Sequence, residues 1–135
     1  MTQVAKGTFN VQLPALPFEG QGPDSKLGRR SIDKQIAGDL EATTQGQMLS
    51  AMTDTPGSAA YVAVERVEGT LAGKRGSFML VHRGEMRQGA QTLLITVVPD
   101  SGTGELQGLS GEFDIRITDG QHFYEFRYTL PANGA

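Results

Sequence analysis

A chain of 135 residues, 38% hydrophobic and 20% charged, suits one soluble globular domain spanning 1–135 and is long enough to bury a core. A formal net charge of −3 argues against nucleic-acid binding, and the basic pairs Arg29-Arg30 and Lys74-Arg75 are isolated enough to read as solvated strand ends or turns. The lack of cysteine excludes disulfides, thiolate nucleophiles and zinc–thiolate sites, and fits a reducing compartment.

The first residues, MTQVAKGTFNVQLPAL, have no apolar core of signal-peptide length. The longest apolar run, residues 93–98, is far too short to span a bilayer. The expectation is a cytoplasmic protein with no membrane partner.

Residues 7–13 alternate, with Phe9, Val11 and Leu13 on one face of a first strand. Residues 14–25 are rich in Pro and Gly and read as a loop. Residues 29–37 set Ile32 and Ile36 among polar neighbours, the pattern of a half-exposed strand. Residues 38–52 continue in alternation, with a short helix as an option for 47–52. Thr-Pro-Gly within 53–58 marks a turn.

Residues 59–67 and 77–82 read as two strands joined by a glycine-broken turn, and residues 84–89 as the next turn. Residues 92–98 are apolar on both faces, which predicts burial of both. Residues 99–104 form a loop, and 105–109 a short strand. Phe113, Ile115 and Ile117 then alternate with Asp114, Arg116 and Thr118. Asp119-Gly120 is a two-residue hairpin signal, because both positions tolerate positive φ. Tyr124, Phe126 and Tyr128 share one face of the last strand, 122–130, and residues 132–135 look frayed.

About eight strands with 18 glycines, many of them between short apolar runs, predict an all-β sandwich or closed barrel. Pairing of the first strand with the last would remove the exposed edges.

Four ordered segments sharpen this: GDLEATTQGQML, AAYVAVERVEGTLAGKRGSFMLVHRG, VVPDSGTGELQGLSG and HFYEFRYTL. Together they resemble the bacterial family known as domain of unknown function 3224, over roughly residues 9–130. The resemblance implies an eight-stranded antiparallel β-barrel similar to plant allene oxide cyclase. It implies no activity, and no catalytic residue of the cyclase carries over. One departure is Ala42, where the family usually has a second glycine.

The candidate ligand-binding residues are Tyr61, Glu65, Phe78, His82, Tyr124 and Tyr128. Tyr61 and Glu65 lie four apart and share a strand face. His82 shares a face with Phe78, and Tyr128 with Tyr124. If these faces point inward, an apolar barrel holds a carboxylate, an imidazole and phenols. Burial would then push the Glu65 carboxyl upward, toward general acid–base use. The structural alternative is a satisfied core network in which Glu65 pairs with a buried arginine or histidine.

No metal site is expected: His82 and His122 are the only histidines, and no H-x-H pair occurs. No cofactor motif is present either. The glycines at 102, 104 and 108 miss the dinucleotide fingerprint and read as turn chemistry. Ser31 to Lys34 spells S-x-x-K without its companion motifs and reads as a chance match on a strand.

Three functions follow as expectations. One is a barrel that binds a small apolar or amphipathic metabolite. A second is an isomerase- or cyclase-type enzyme using Glu65 or His82. A third is a purely structural barrel. Val62 and Val64 on the face opposite Tyr61 suggest an apolar outer surface covered in a homo-oligomer, most simply a dimer.

Overall fold

Period-two alternation runs through nearly the whole chain, and almost every such run becomes a strand. The computed structural model describes residues 2–18, 20 and 26–131. Nine strands lie among them: β1 (Gln3–Gln12), β2 (Ala15–Leu16), β3 (Leu27–Gly38), β4 (Leu40–Met52), β5 (Ala59–Leu71), β6 (Lys74–Arg87), β7 (Ala90–Val97), β8 (Ser110–Thr118) and β9 (Gln121–Thr129). All neighbours are antiparallel, and β1 pairs with both β9 and β3. That double pairing closes eight strands into a barrel. The two-residue β2 lies outside it, paired with the start of β3. Among the described residues, no helix is long and apolar enough to cross a membrane.

The interior is filled by side chains, as a barrel of this size requires. Phe78 stacks on Phe126, Phe113 on Tyr124, and Phe126 on Tyr128. Leu40, Val67, Leu71, Leu80 and Ile95 complete the dry core around these rings.

The two ends differ. At one end, the segment after β7 folds back over the core. It carries a 3₁₀ turn at Gly104–Leu106 and buries Leu106 and Leu109. The Ser77 hydroxyl bonds that of Thr103 at 2.7 Å and holds the cap to β6. At the other end, hairpin turns join β4 to β5, β6 to β7 and β8 to β9, and β2 pairs with the start of β3. Asp119 and Gly120 both have positive φ there, as the hairpin signal requires.

Several sequence expectations need correction. Residues 47–52 continue β4 rather than forming a helix, because β5 pairs with them as far as Met52. Residues 105–109 are turn and cap, not strand. The β6 strand runs on to Arg87, so the turn after it is only two residues long. Residues 93–98 are not buried on both faces: Ile95 and Val97 point inward, while Leu93 and Leu94 are exposed. Strand β3 is half-exposed as expected, with Asp33, Gln35 and Ala37 outside, but its inner face buries Lys34 along with Ile32 and Ile36. The loop expected over 14–25 contains β2, and residues 19, 21–25 and 132–135 lie outside the described residues.

Arg29 and Arg30 sit near the start of β3. They donate to the carbonyls of Pro17 and Leu13 respectively, tying down the segment around β2.

Candidate functional site

Alternation on β5 turns Tyr61, Ala63, Glu65 and Val67 into the barrel. On β6 it turns Phe78, Leu80 and His82 inward, and on β3 it turns Ile32, Lys34 and Ile36 inward. Three polar groups therefore meet beneath the end that carries the β4–β5 and β6–β7 turns. The Glu65 Oε1 atom accepts from Lys34 Nζ at 2.9 Å and from His82 Nε2 at 2.6 Å. All three residues are buried. The Lys34 ammonium also lies 5.0 Å from the Phe9 ring centroid, a cation–π contact in a dry setting.

An ionised carboxylate can only accept, so His82 Nε2 carries the proton of the shared bond. Its Nδ1 lies 3.4 Å from the Tyr61 hydroxyl. The order Lys34, Glu65, His82, Tyr61 thus runs from β3 to the open mouth.

Two glycines make this geometry possible. Gly46 faces both Ile32 and Glu65 in the β4 register. A Cβ there would sit 2.6 Å from the Glu65 Cα and Cβ and 2.2 Å from the Val64 carbonyl. With only hydrogen at that position, Glu65 can cross β4 and reach β3. Gly84 pairs with Tyr61, and a Cβ there would lie 2.3 Å from Tyr61 Cε1. The phenol ring therefore occupies the space a side chain at Gly84 would fill.

The electrostatics correct one expectation. Burial does push the Glu65 carboxyl upward, but the His82 hydrogen bond and the charge of Lys34 outweigh it. The net result is a carboxyl lowered to about 2. Such a group is fully ionised at neutral pH and a weak base, so it suits neither general acid nor general base work there. The Tyr61 phenol moves the other way, raised by burial and then by the Glu65 charge.

The remaining candidates stand apart from this cluster. Tyr124 accepts from the Leu40 N–H and donates to the Ala37 carbonyl, both at 3.0 Å, which fastens the β3–β4 turn. Tyr128 stacks on Phe126 and donates to the Gln3 side chain at 3.3 Å. The expectation that it joins Glu65 is not met by any hydrogen bond to the cluster. Phe78 is an aromatic core residue. Lys34 was missed, although its period-two signal was present: it lies midway between Ile32 and Ile36. Ser31, three residues before Lys34, falls on the opposite strand face, so S-x-x-K makes no site.

Above the cluster, the mouth holds an open hollow of about 290 Å³ lined by Met48, Met52, Ala59, Tyr61, Met86 and Leu93. A separate polar groove of about 650 Å³ lies across β1, β3, β4 and β5, with Asn10, Gln35, Gln45 and Arg66 among its walls. No group of three or more His, Cys, Asp or Glu that could hold a metal ion occurs among the described residues.

The family model described as a protein of unknown function, DUF3224, matches residues 5–128. The crystal structure of a protein with unknown function from the DUF3224 family of Shewanella oneidensis MR-1 is similar throughout. It shares 46% identity over 97% of this chain and 99% of that chain, with a TM-score of 0.91. No curated protein matches the sequence. A matching family model over nearly the whole chain and a closely similar barrel agree, and the chain belongs to the DUF3224 family.

Proposed function

We propose that this barrel is a binding module that takes a small apolar or amphipathic molecule in its mouth, between the β4–β5 and β6–β7 turns. The observation that carries the reading is the hollow of about 290 Å³ between Met48, Met52, Met86 and the Tyr61 ring. Its size lies at the lower edge of the range common for small-ligand pockets. Methionines suit such a wall because their unbranched, polarisable side chains adapt to a ligand's outline. The deeper interior is packed with aromatic rings, so a ligand rests on Tyr61 rather than passing below it. The Lys34–Glu65–His82 network serves as a rigid floor that fixes the Tyr61 ring from beneath.

The larger outer groove is a poorer candidate. Its walls are polar and open, and they offer little apolar surface from which a ligand would displace water.

The test is a calorimetric and thermal-shift series of short fatty acids and small aromatic metabolites against the wild type and Ala59→Trp. Ala59 pairs with Met52 on one side and Met86 on the other. An indole there fills the hollow without touching the buried network. Saturable binding to the wild type, lost in Ala59→Trp with the fold intact, is the expected result. No binding by any probe, or binding undiminished by the indole, overturns the reading.

A further inference from the structure

The outer surfaces of β5 and β6 carry the same message twice. Outward positions on β5 read Val62, Val64, Arg66 and Glu68. Those on β6 read Met79, Val81, Arg83 and Glu85. The strands are antiparallel, and Val64 pairs with Val81, Val62 with Arg83, and Arg66 with Met79. The two quartets are therefore related by a local two-fold normal to the sheet, through the middle of the Val64–Val81 pair. Each arginine also bonds the glutamate two residues on: Arg66 to Glu68 at 2.9 Å and Arg83 to Glu85 at 3.1 Å.

The centre of this surface is apolar and open. Val62 is 51% exposed, Val64 59%, Met79 42% and Val81 38%. Leu49 adjoins Val62 across the β4 register, and Leu94 adjoins Arg83 across the β7 register; both are exposed too. A continuous apolar patch of this kind on a barrel wall is a surface to be covered.

We propose that the β5–β6 outer face is a dimer interface that takes a second copy of this chain through a two-fold contact. This inference is independent of the mouth reading. An isologous contact sets one patch against itself, so the patch must not repel itself. Here the two arginines and two glutamates sum to zero and occupy opposite corners. Set a copy face to face, with the two-fold in the sheet plane along or across the strands. Each arginine then lies over Val62 or Met79 of the other copy, and no arginine faces an arginine. Val64 meets Val81 or its own counterpart. The aliphatic stems of Arg66 and Arg83 extend the apolar contact while their charged ends stay with their own glutamates at the rim. A partner of one dominant charge finds no net charge on this face to match.

The experiment compares wild type, Val64→Glu, Val81→Glu and Ile117→Glu by sedimentation velocity at micromolar concentration, with circular dichroism as the check on folding. Ile117 is 63% exposed on β8, away from the patch, and serves as the control. The expected result is a dimeric wild type and Ile117→Glu, with both valine variants folded and monomeric. A monomeric or trimeric wild type overturns the proposal, as does a dimer that survives both valine changes.

Should the glutamate variants misfold, spin labels decide. The chain has no cysteine, so Val64→Cys and Ile117→Cys each take one label. Copy-to-copy distances shorter at position 64 than at 117 support the interface, and the reverse order overturns it.

Discussion

Glu65 reaches Lys34 across an intervening strand. The carboxylate belongs to β5 and the ammonium to β3, yet Nζ and Oε1 are 2.9 Å apart because Gly46 of β4 lies between them without a side chain. This contact makes Lys34 and Glu65 interdependent, since neither charge has water to fall back on.

Removing one partner should therefore cost more than removing both. Lys34→Met or Glu65→Leu alone leaves an uncompensated buried charge and should destabilise by about 3–5 kcal/mol. The double variant Lys34→Met/Glu65→Leu should recover most of that loss, because a buried ion pair is often replaceable by packed apolar groups. Urea denaturation of all four proteins measures the cycle. Additive losses in the double variant would mean that the two side chains are not coupled.

The depressed Glu65 carboxyl sets an acid limb. A folded-state value of about 2 lies below the ordinary 4.5, so the carboxylate stabilises the fold above pH 4.5. That contribution should be lost as pH falls from 4.5 through 2, on the order of 3 kcal/mol in all. The stability difference between wild type and Glu65→Gln should shrink across the same window. A difference that stays constant from pH 6 to pH 2 would contradict the assignment.

Gly46 and Gly120 should fail for different reasons. At Gly46 a methyl group meets the β5 backbone, so Gly46→Ala should cost about 2–4 kcal/mol through overpacking. At Gly120 nothing lies within 4 Å, but φ is +78°, so Gly120→Val should cost about 1–3 kcal/mol through backbone strain. Of the two, only Gly46→Ala should also move the histidine resonances of His82 in an NMR spectrum. An unshifted His82 signal in that variant would detach Gly46 from the site.

Tyr124 has a structural task that phenylalanine cannot perform. Its hydroxyl serves the Leu40 N–H and the Ala37 carbonyl beside Gly38, whose φ is +112°. Tyr124→Phe should leave buried backbone groups unpaired and lower stability by about 1–3 kcal/mol. Faster hydrogen exchange of the Leu40 amide is the local readout, and unchanged exchange would remove the hydroxyl from this role.

Most strands, and the residues that share a face on each, were legible in the chain. Alternation is a local property: it put Tyr61 with Glu65, His82 with Phe78, and Tyr124 with Phe126 and Tyr128, while closure of the barrel decided that these faces are the inner ones. Asp119-Gly120 announced its turn because positive φ is a property of those residues rather than of their neighbours. The helix option at residues 47–52 and the strand at 105–109 failed where tertiary contacts overrode weak local preference. Pairing with β5 extended the first segment, and packing over the core shaped the second.

The partners of Glu65 were decided by the tertiary structure alone. Lys34 lies 31 positions away and His82 17, and only the curvature of the barrel and strand register bring the three groups to one point. The direction of the Glu65 pKa shift followed from the same cause. Burial is legible in a strand pattern, but the compensating ammonium is supplied by another strand, across a glycine whose importance is the atom it lacks.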